Sequence, residues 1–108
     1  MIDLPADQLA VVRRLLAAHV PDVEVRAFGS RVGGKPRPFS DLDLALVGER
    51  ALESARLEAL RDAFSESDLP IRVDVTDWHA ISEPFRKVIG RNYEVLRRAV
   101  PKRDRRGP

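Results

Sequence analysis

Asp41 and Asp43 stand one residue apart, ten residues after the step Gly29-Ser30, and a third isolated acid, Asp74, lies between Val73 and Val75 further along the chain. A glycine lets backbone approach a phosphate closely, and a neighbouring serine hydroxyl can donate to it, as can the amides of a following helical turn. Two carboxylates one residue apart on a strand share a face, with their Cα atoms roughly 6–7 Å apart. At about 6 Å and an effective dielectric near 20 they repel by about 3 kcal/mol, a cost that a divalent cation reverses. Oxygen-only ligands of this kind suit magnesium or manganese rather than zinc. Three such acids can hold two ions about 3.5–4 Å apart, which is the equipment for in-line displacement at phosphorus. Gly-Ser alone carries no signal, and Asp-x-Asp alone carries little; their joint spacing is what points to this chemistry.

The elements that must position these residues are legible in the pattern. Residues 5–19 read as a helix, with Pro5 in its first turn and Leu9, Val12, Leu16 and His19 along one face; Pro21 stops it. Val23, Val25 and Ala27 alternate with Glu24, Arg26 and Phe28, a half-buried strand that runs into Gly29-Ser30. Residues 32–39 hold two glycines and two prolines and read as loop. Asp41 to Val47 is a second strand, with Leu42 and Leu44 facing the core. A helix over about 51–66 carries Leu52, Leu57, Leu60 and Phe64 as its apolar stripe. Residues 71–76 form a third strand, with Asp74 on the face opposite Ile71, Val73 and Val75. If the strands at 41–47 and 71–76 are neighbours, all three acids meet on one face. Ser82 is suited to cap a helix that carries Pro84, Phe85, Val88 and Ile89 and ends at Gly90. Tyr93 to Leu96 fits a short strand or a helical turn equally well.

Composition narrows the setting. A chain of 108 residues with 44% apolar and 33% charged residues suits one compact domain, and no apolar run approaches the roughly 20 residues of a membrane span. The start of the chain lacks the pattern of a secretory signal, and the absence of cysteine removes disulfides and thiolate metal sites, so a cytoplasmic setting is expected. The net charge is +2, but residues 102–108 alone carry +3, which leaves −1 for residues 1–101. We therefore expect a domain over 1–101 followed by a basic, disordered tail over 102–108, with nucleic acid not favoured as a partner.

The run Phe28-Gly29-Ser30, ten residues, then Asp41-Leu42-Asp43-Leu44 resembles the signature of the DNA polymerase beta-like nucleotidyltransferase superfamily, and Val73-Asp74-Val75 matches its third acid. Within it, Gly29-Ser30-Arg31 to Ser40-Asp41-Leu42-Asp43 looks most like the minimal nucleotidyltransferases of prokaryotes, which are often encoded beside a helical HEPN-domain protein. The resemblance spans residues from about 9 to 97. It implies an α/β (α+β) fold with a small mixed sheet flanked by helices. It also implies ATP as nucleotide donor, Mg2+ in a two-metal site, and transfer of AMP or another nucleotide to a hydroxyl. Asp41 and Asp43 would then be catalytic metal ligands holding the triphosphate, and Asp74 would hold the second metal and assist the incoming hydroxyl. Gly29 and Ser30 would meet the β- and γ-phosphates, with Arg31 beside them in the nucleotide site, although an arginine just after a turn is as often solvated or ion-paired. One departure stands out: the basic residue common two places after Arg31 is Gly33, so Lys35 or Arg37 supplies that charge or phosphate affinity is low.

About 100 residues leave no room for a separate acceptor domain, so a partner protein is the expected acceptor. The resemblance suggests an antitoxin that adenylylates, and so silences, a HEPN-type ribonuclease toxin, with a homo-oligomer as a further option. The alternative is an antitoxin of weak or no catalysis that neutralises its partner by binding alone. His19 and His79 read as structural, Asp77 as the cap of a turn, and Trp78 and Tyr93 as core or interface aromatics rather than base platforms.

Overall fold

In the computed structural model, which describes residues 2–33 and 40–100, helix α1 (Ala6–His19) starts after Pro5 and buries Val12 and Leu16. Strand β1 (Glu24–Phe28) follows, then a single helical turn, α2 (Ser30–Gly33). Strand β2 (Leu42–Val47), helix α3 (Ser54–Glu66) and strand β3 (Val73–Asp77) form a β-α-β crossover. A 3-10 turn (Trp78–Ala80), helix α4 (Glu83–Arg91) and strand β4 (Tyr93–Arg97) complete the described chain.

The four strands lie in the order β3-β2-β1-β4. Strand β1 runs antiparallel to both β2 and β4, whereas β2 and β3 are parallel, as a helical crossover requires. The sheet is therefore mixed. Alternation along each strand gives it two unlike faces. Val25, Ala27, Leu42, Leu44, Leu46 and Val75 point to one side and meet Val12, Leu16, Leu60 and Phe64 of α1 and α3 in the core. Complete burial of Leu44 alone contributes about 1.5–3 kcal/mol relative to exposure. Phe28, Asp43 and Asp74 occupy the other face.

Two polar clasps tie the connections. Arg56 of α3 donates from Nε to His19 O at 3.1 Å and forks onto both carboxylate oxygens of Asp22, which joins α3 to the end of α1; this pairing raises the Arg56 pKa above its ordinary value. Asp77 is 5% exposed and accepts from Leu52 N at 2.9 Å and His79 N at 3.1 Å, fastening the segment before α3 to the end of β3.

The helix expected over 51–66 begins later, at Ser54, so Leu52 packs on the core from outside it. Gly90 does not end α4: the helix runs through Arg91 and Asn92 takes the cap. Its other end is as expected, with Ser82 Oγ accepting from Phe85 N at 3.3 Å. Val32 and Gly33, expected in a loop, belong to α2, while 34–39, including Lys35 and Arg37, lie outside the described residues, as does the tail at 102–108. The segment at 93–96 is a strand, because β1 offers it an edge to pair with. Among the described residues no helix is long and apolar enough to cross a membrane.

Candidate active site

The site forms where β1 ends. Past Phe28 the chain turns through Gly29 at φ +83°, in the left-handed region that favours glycine. Val32 N and Gly33 N both return to Gly29 O, at 3.1 and 3.4 Å, and close the turn. A Cβ at Gly29 would collide with Asp43 Oδ2 and lie 3.3 Å from Asp43 Cγ. Glycine is thus required twice over, by backbone and by the carboxylate that fills the space. Gly29 and Ser30 are exposed at the rim of this turn.

Register brings the acids together. Phe28 is opposite Asp43 across the β1–β2 pair, and Asp43 is opposite Asp74 across the β2–β3 pair. Adjacent strands lie about 4.8 Å apart, so Asp43 and Asp74 are immediate neighbours on the open face. Asp41 precedes β2 and is exposed, as is Asp74; Asp43 is half-buried. Burial first, then the charges of Asp74 and Asp41, push the Asp43 carboxyl above its ordinary pKa of 3.8. The charges of Asp41 and Asp74 thus both reach Asp43, while only Asp74 is its cross-strand neighbour.

Among the described residues no three acidic or histidine groups already close around a point as metal ligands do. The acids face one another across an open surface. That openness, the all-oxygen donor set and the mutual repulsion at Asp43 fit a magnesium-type ion, which typically takes one or two carboxylates together with substrate phosphates.

Arg31, which follows the Gly29-Ser30 turn, points inward. It is only 5% exposed, and its guanidinium donates from Nε to Ser40 O at 3.0 Å and from Nη1 to Asp3 O at 2.9 Å. Asp3 N returns to Arg31 O at 2.7 Å. The side chain is turned into the body, where it ties the N-terminal segment, the Gly29-Ser30 turn and the entry to β2 into one unit. Gly33 is explained by its neighbour: a Cβ there would overlap the Asn92 side-chain amide, so any side chain at this position must displace Asn92.

The open face carries a second group that the sequence showed only as alternation. The Arg26 guanidinium lies 5.1 Å from the Trp78 ring centre and 4.7 Å from that of Tyr93, with Nε on Glu24 at 2.6 Å. Phe28 meets Phe85 edge-on at 5.9 Å. Arg26 and Phe28 share the parity that faces away from the core, which was the available signal; their partners come from distant segments. Asp77 is the turn cap it was expected to be, and His79 bonds through Nε2 to Gly48 O at 2.7 Å.

Comparison with known proteins places these features among relatives. Residues 16–99 match the family described as polymerase beta, nucleotidyltransferase. The chain is 48% identical over 95 residues, 88% of its length and 83% of the relative's, to the "Probable protein adenylyltransferase MntA" of Haemophilus influenzae. It is similar in fold to a chain of a toxin–antitoxin crystal structure with AMP-PNP, at a TM-score of 0.70, 21% identity and coverage of 90% of this chain and 77% of that one. It is likewise similar to a chain of the complex between tri-AMPylated Shewanella oneidensis HEPN toxin and MNT antitoxin, at a TM-score of 0.62, 19% identity and coverage of 91% and 75%. At these identities the structural likeness is one of fold.

Proposed function

The chain belongs to the polymerase beta nucleotidyltransferase family, and from that premise we propose that it transfers AMP from ATP to a hydroxyl of a HEPN-type partner protein, as the antitoxin of such a pair. The observation that carries this reading is the 48% identity, over 88% of the chain, to a protein named for protein adenylylation. The gathering of Asp41, Asp43 and Asp74 beside Gly29 supports it, since these groups suit a nucleotide and its cation better than a merely occlusive surface.

In this reading Gly29 and Ser30 receive the terminal phosphates, the glycine by admitting them close to the backbone and the serine by donating its hydroxyl. Asp41, Asp43 and Asp74 would hold Mg2+, which when bound neutralises charge on the phosphates and on the oxygens entering and leaving. Asp74, at the open margin of the face, accepts the proton of the incoming hydroxyl. The hydroxyl oxygen bonds to the α-phosphorus, the bond from that phosphorus to the bridging oxygen breaks, and pyrophosphate departs. Arg31 acts through the backbone, fixing the turn against the segment that leads through Asp41 into β2.

The test is the intact mass of the HEPN-type partner after incubation with this chain, ATP and magnesium. One or more added AMP groups are expected, and none with Asp41→Asn/Asp43→Asn. Neutralisation of the partner that survives this double substitution, without any added mass, would overturn transfer in favour of binding alone. Omission of magnesium is expected to abolish the added mass as completely as the double substitution does.

A further inference from the structure

The sheet ends at β3, and the outer side of that strand is closed over only part of its length. Leu42 N bonds to Arg72 O at 3.0 Å, which sets the parity of the parallel ladder: the backbone groups of Arg72, Asp74 and Thr76 turn toward β2, and those of Val73 and Val75 turn outward. Exposed strand edges are commonly blunted by a charged side chain, and Arg61 of α3 does this at one rung, donating from Nη2 to Val75 O at 2.9 Å. At the next rung toward the site, Val73, no described residue bonds the outward N–H or C=O. Beside that rung runs a groove of 430 Å³ lined by Arg61, Leu69, Ile71, Arg72, Val73 and Asp74 among others. The lining thus includes the candidate catalytic acid, with Val73 and Val75 on either side of it in sequence.

We propose that this groove seats an extended, acidic, hydroxyl-bearing segment of the partner protein, which pairs with the open backbone of Val73 and brings its hydroxyl to Asp74. The inference rests on the transfer reading above and adds where the acceptor lies. A strand laid on β3 stands about 4.8 Å away, and its residue opposite Asp74 projects from the same face. A hydroxyl on that residue enters from the side of the sheet that no other strand occupies. Arg61 and Arg72, both exposed, flank the rung and favour acidic residues on the incoming segment. Arg61 also stops the pairing at Val75, so the segment has one place to stop. Main-chain bonds supply affinity and the groove's apolar floor supplies selectivity, as in other cases of strand addition.

Hydrogen exchange on the full chain tests this directly. Addition of the HEPN-type partner is expected to slow exchange at the Val73 amide at least tenfold, whether or not ATP is present. Unchanged exchange at Val73 in a formed complex overturns the proposal. Because this readout needs no catalysis, a chain that adds no AMP removes the transfer reading while leaving the docking site open to decision. Val73→Pro deletes the outward N–H yet spares the bonds to β2, a placement edge strands tolerate. Together with Arg61→Glu and Arg72→Glu, it is expected to raise the KM for the partner about tenfold per variant while the KM for ATP stays unchanged. An unchanged partner KM in all three, with the fold intact by circular dichroism, likewise overturns it.

Discussion

Asp43 carries the cost of the site in its protonation. Burial and the charges of Asp74 and Asp41 raise its pKa, so the folded chain binds this proton more tightly than the unfolded chain does. The stability it gives is greatest below the ordinary value of 3.8 and is lost as pH climbs through the raised one. Asp43→Asn is therefore expected to melt a few degrees above the parent near pH 7 without divalent ions, and level with it near pH 3. Magnesium should close the gap by stabilising the parent alone. Scanning calorimetry at both pH values decides this. Arg31 gives a second expectation. Lysine keeps the charge but cannot fork between Ser40 O and Asp3 O, so Arg31→Lys should lower stability by about 1.5–3 kcal/mol in chemical denaturation. A raised KM for ATP at unchanged stability would return this residue to the phosphates.

At the scale of elements, period and punctuation made most of the fold legible. Alternation in 23–28 and 71–76 located β1 and β3, and Ser82 marked the start of α4 because a cap acts through its own local backbone. What stayed hidden depended on partners distant in sequence. The segment at 93–97 is a strand because β1 has a free edge, which no local pattern in Tyr93-Glu94-Val95-Leu96 announces. The spacing of Asp41 and Asp43 was legible in the chain, whereas the meeting of Asp43 with Asp74 required the parallel register of β2 and β3. The inward turn of Arg31 was not legible, because proximity to Gly29-Ser30 in sequence says nothing of which way a long side chain turns. Gly90 shows the limit of reading glycine as a stop: it sits inside α4, and a Cβ there meets nothing within 4 Å. Gly90→Ala should thus stabilise the chain by about 1 kcal/mol, measured by urea unfolding, whereas a true helix stop would be harmed.

Considered whole, the chain divides its labour between the faces of one sheet. Helices α1 and α3 and the apolar core hold one side, and the acids with the Arg26 group hold the other. The chain has one tryptophan, and Trp78 lies beneath Arg26 with Arg86 also near its ring, at 5.7 Å. Nature has thus fitted a single fluorophore to the layer that the helical far-ultraviolet signal reports least. Emission and ellipticity become separate witnesses to the two sides, with no dye attached. Followed through urea, the two traces are expected to superimpose, since every strand is shared by both layers. Traces that part company, with emission changing first, would reveal a front that loosens while its backing holds.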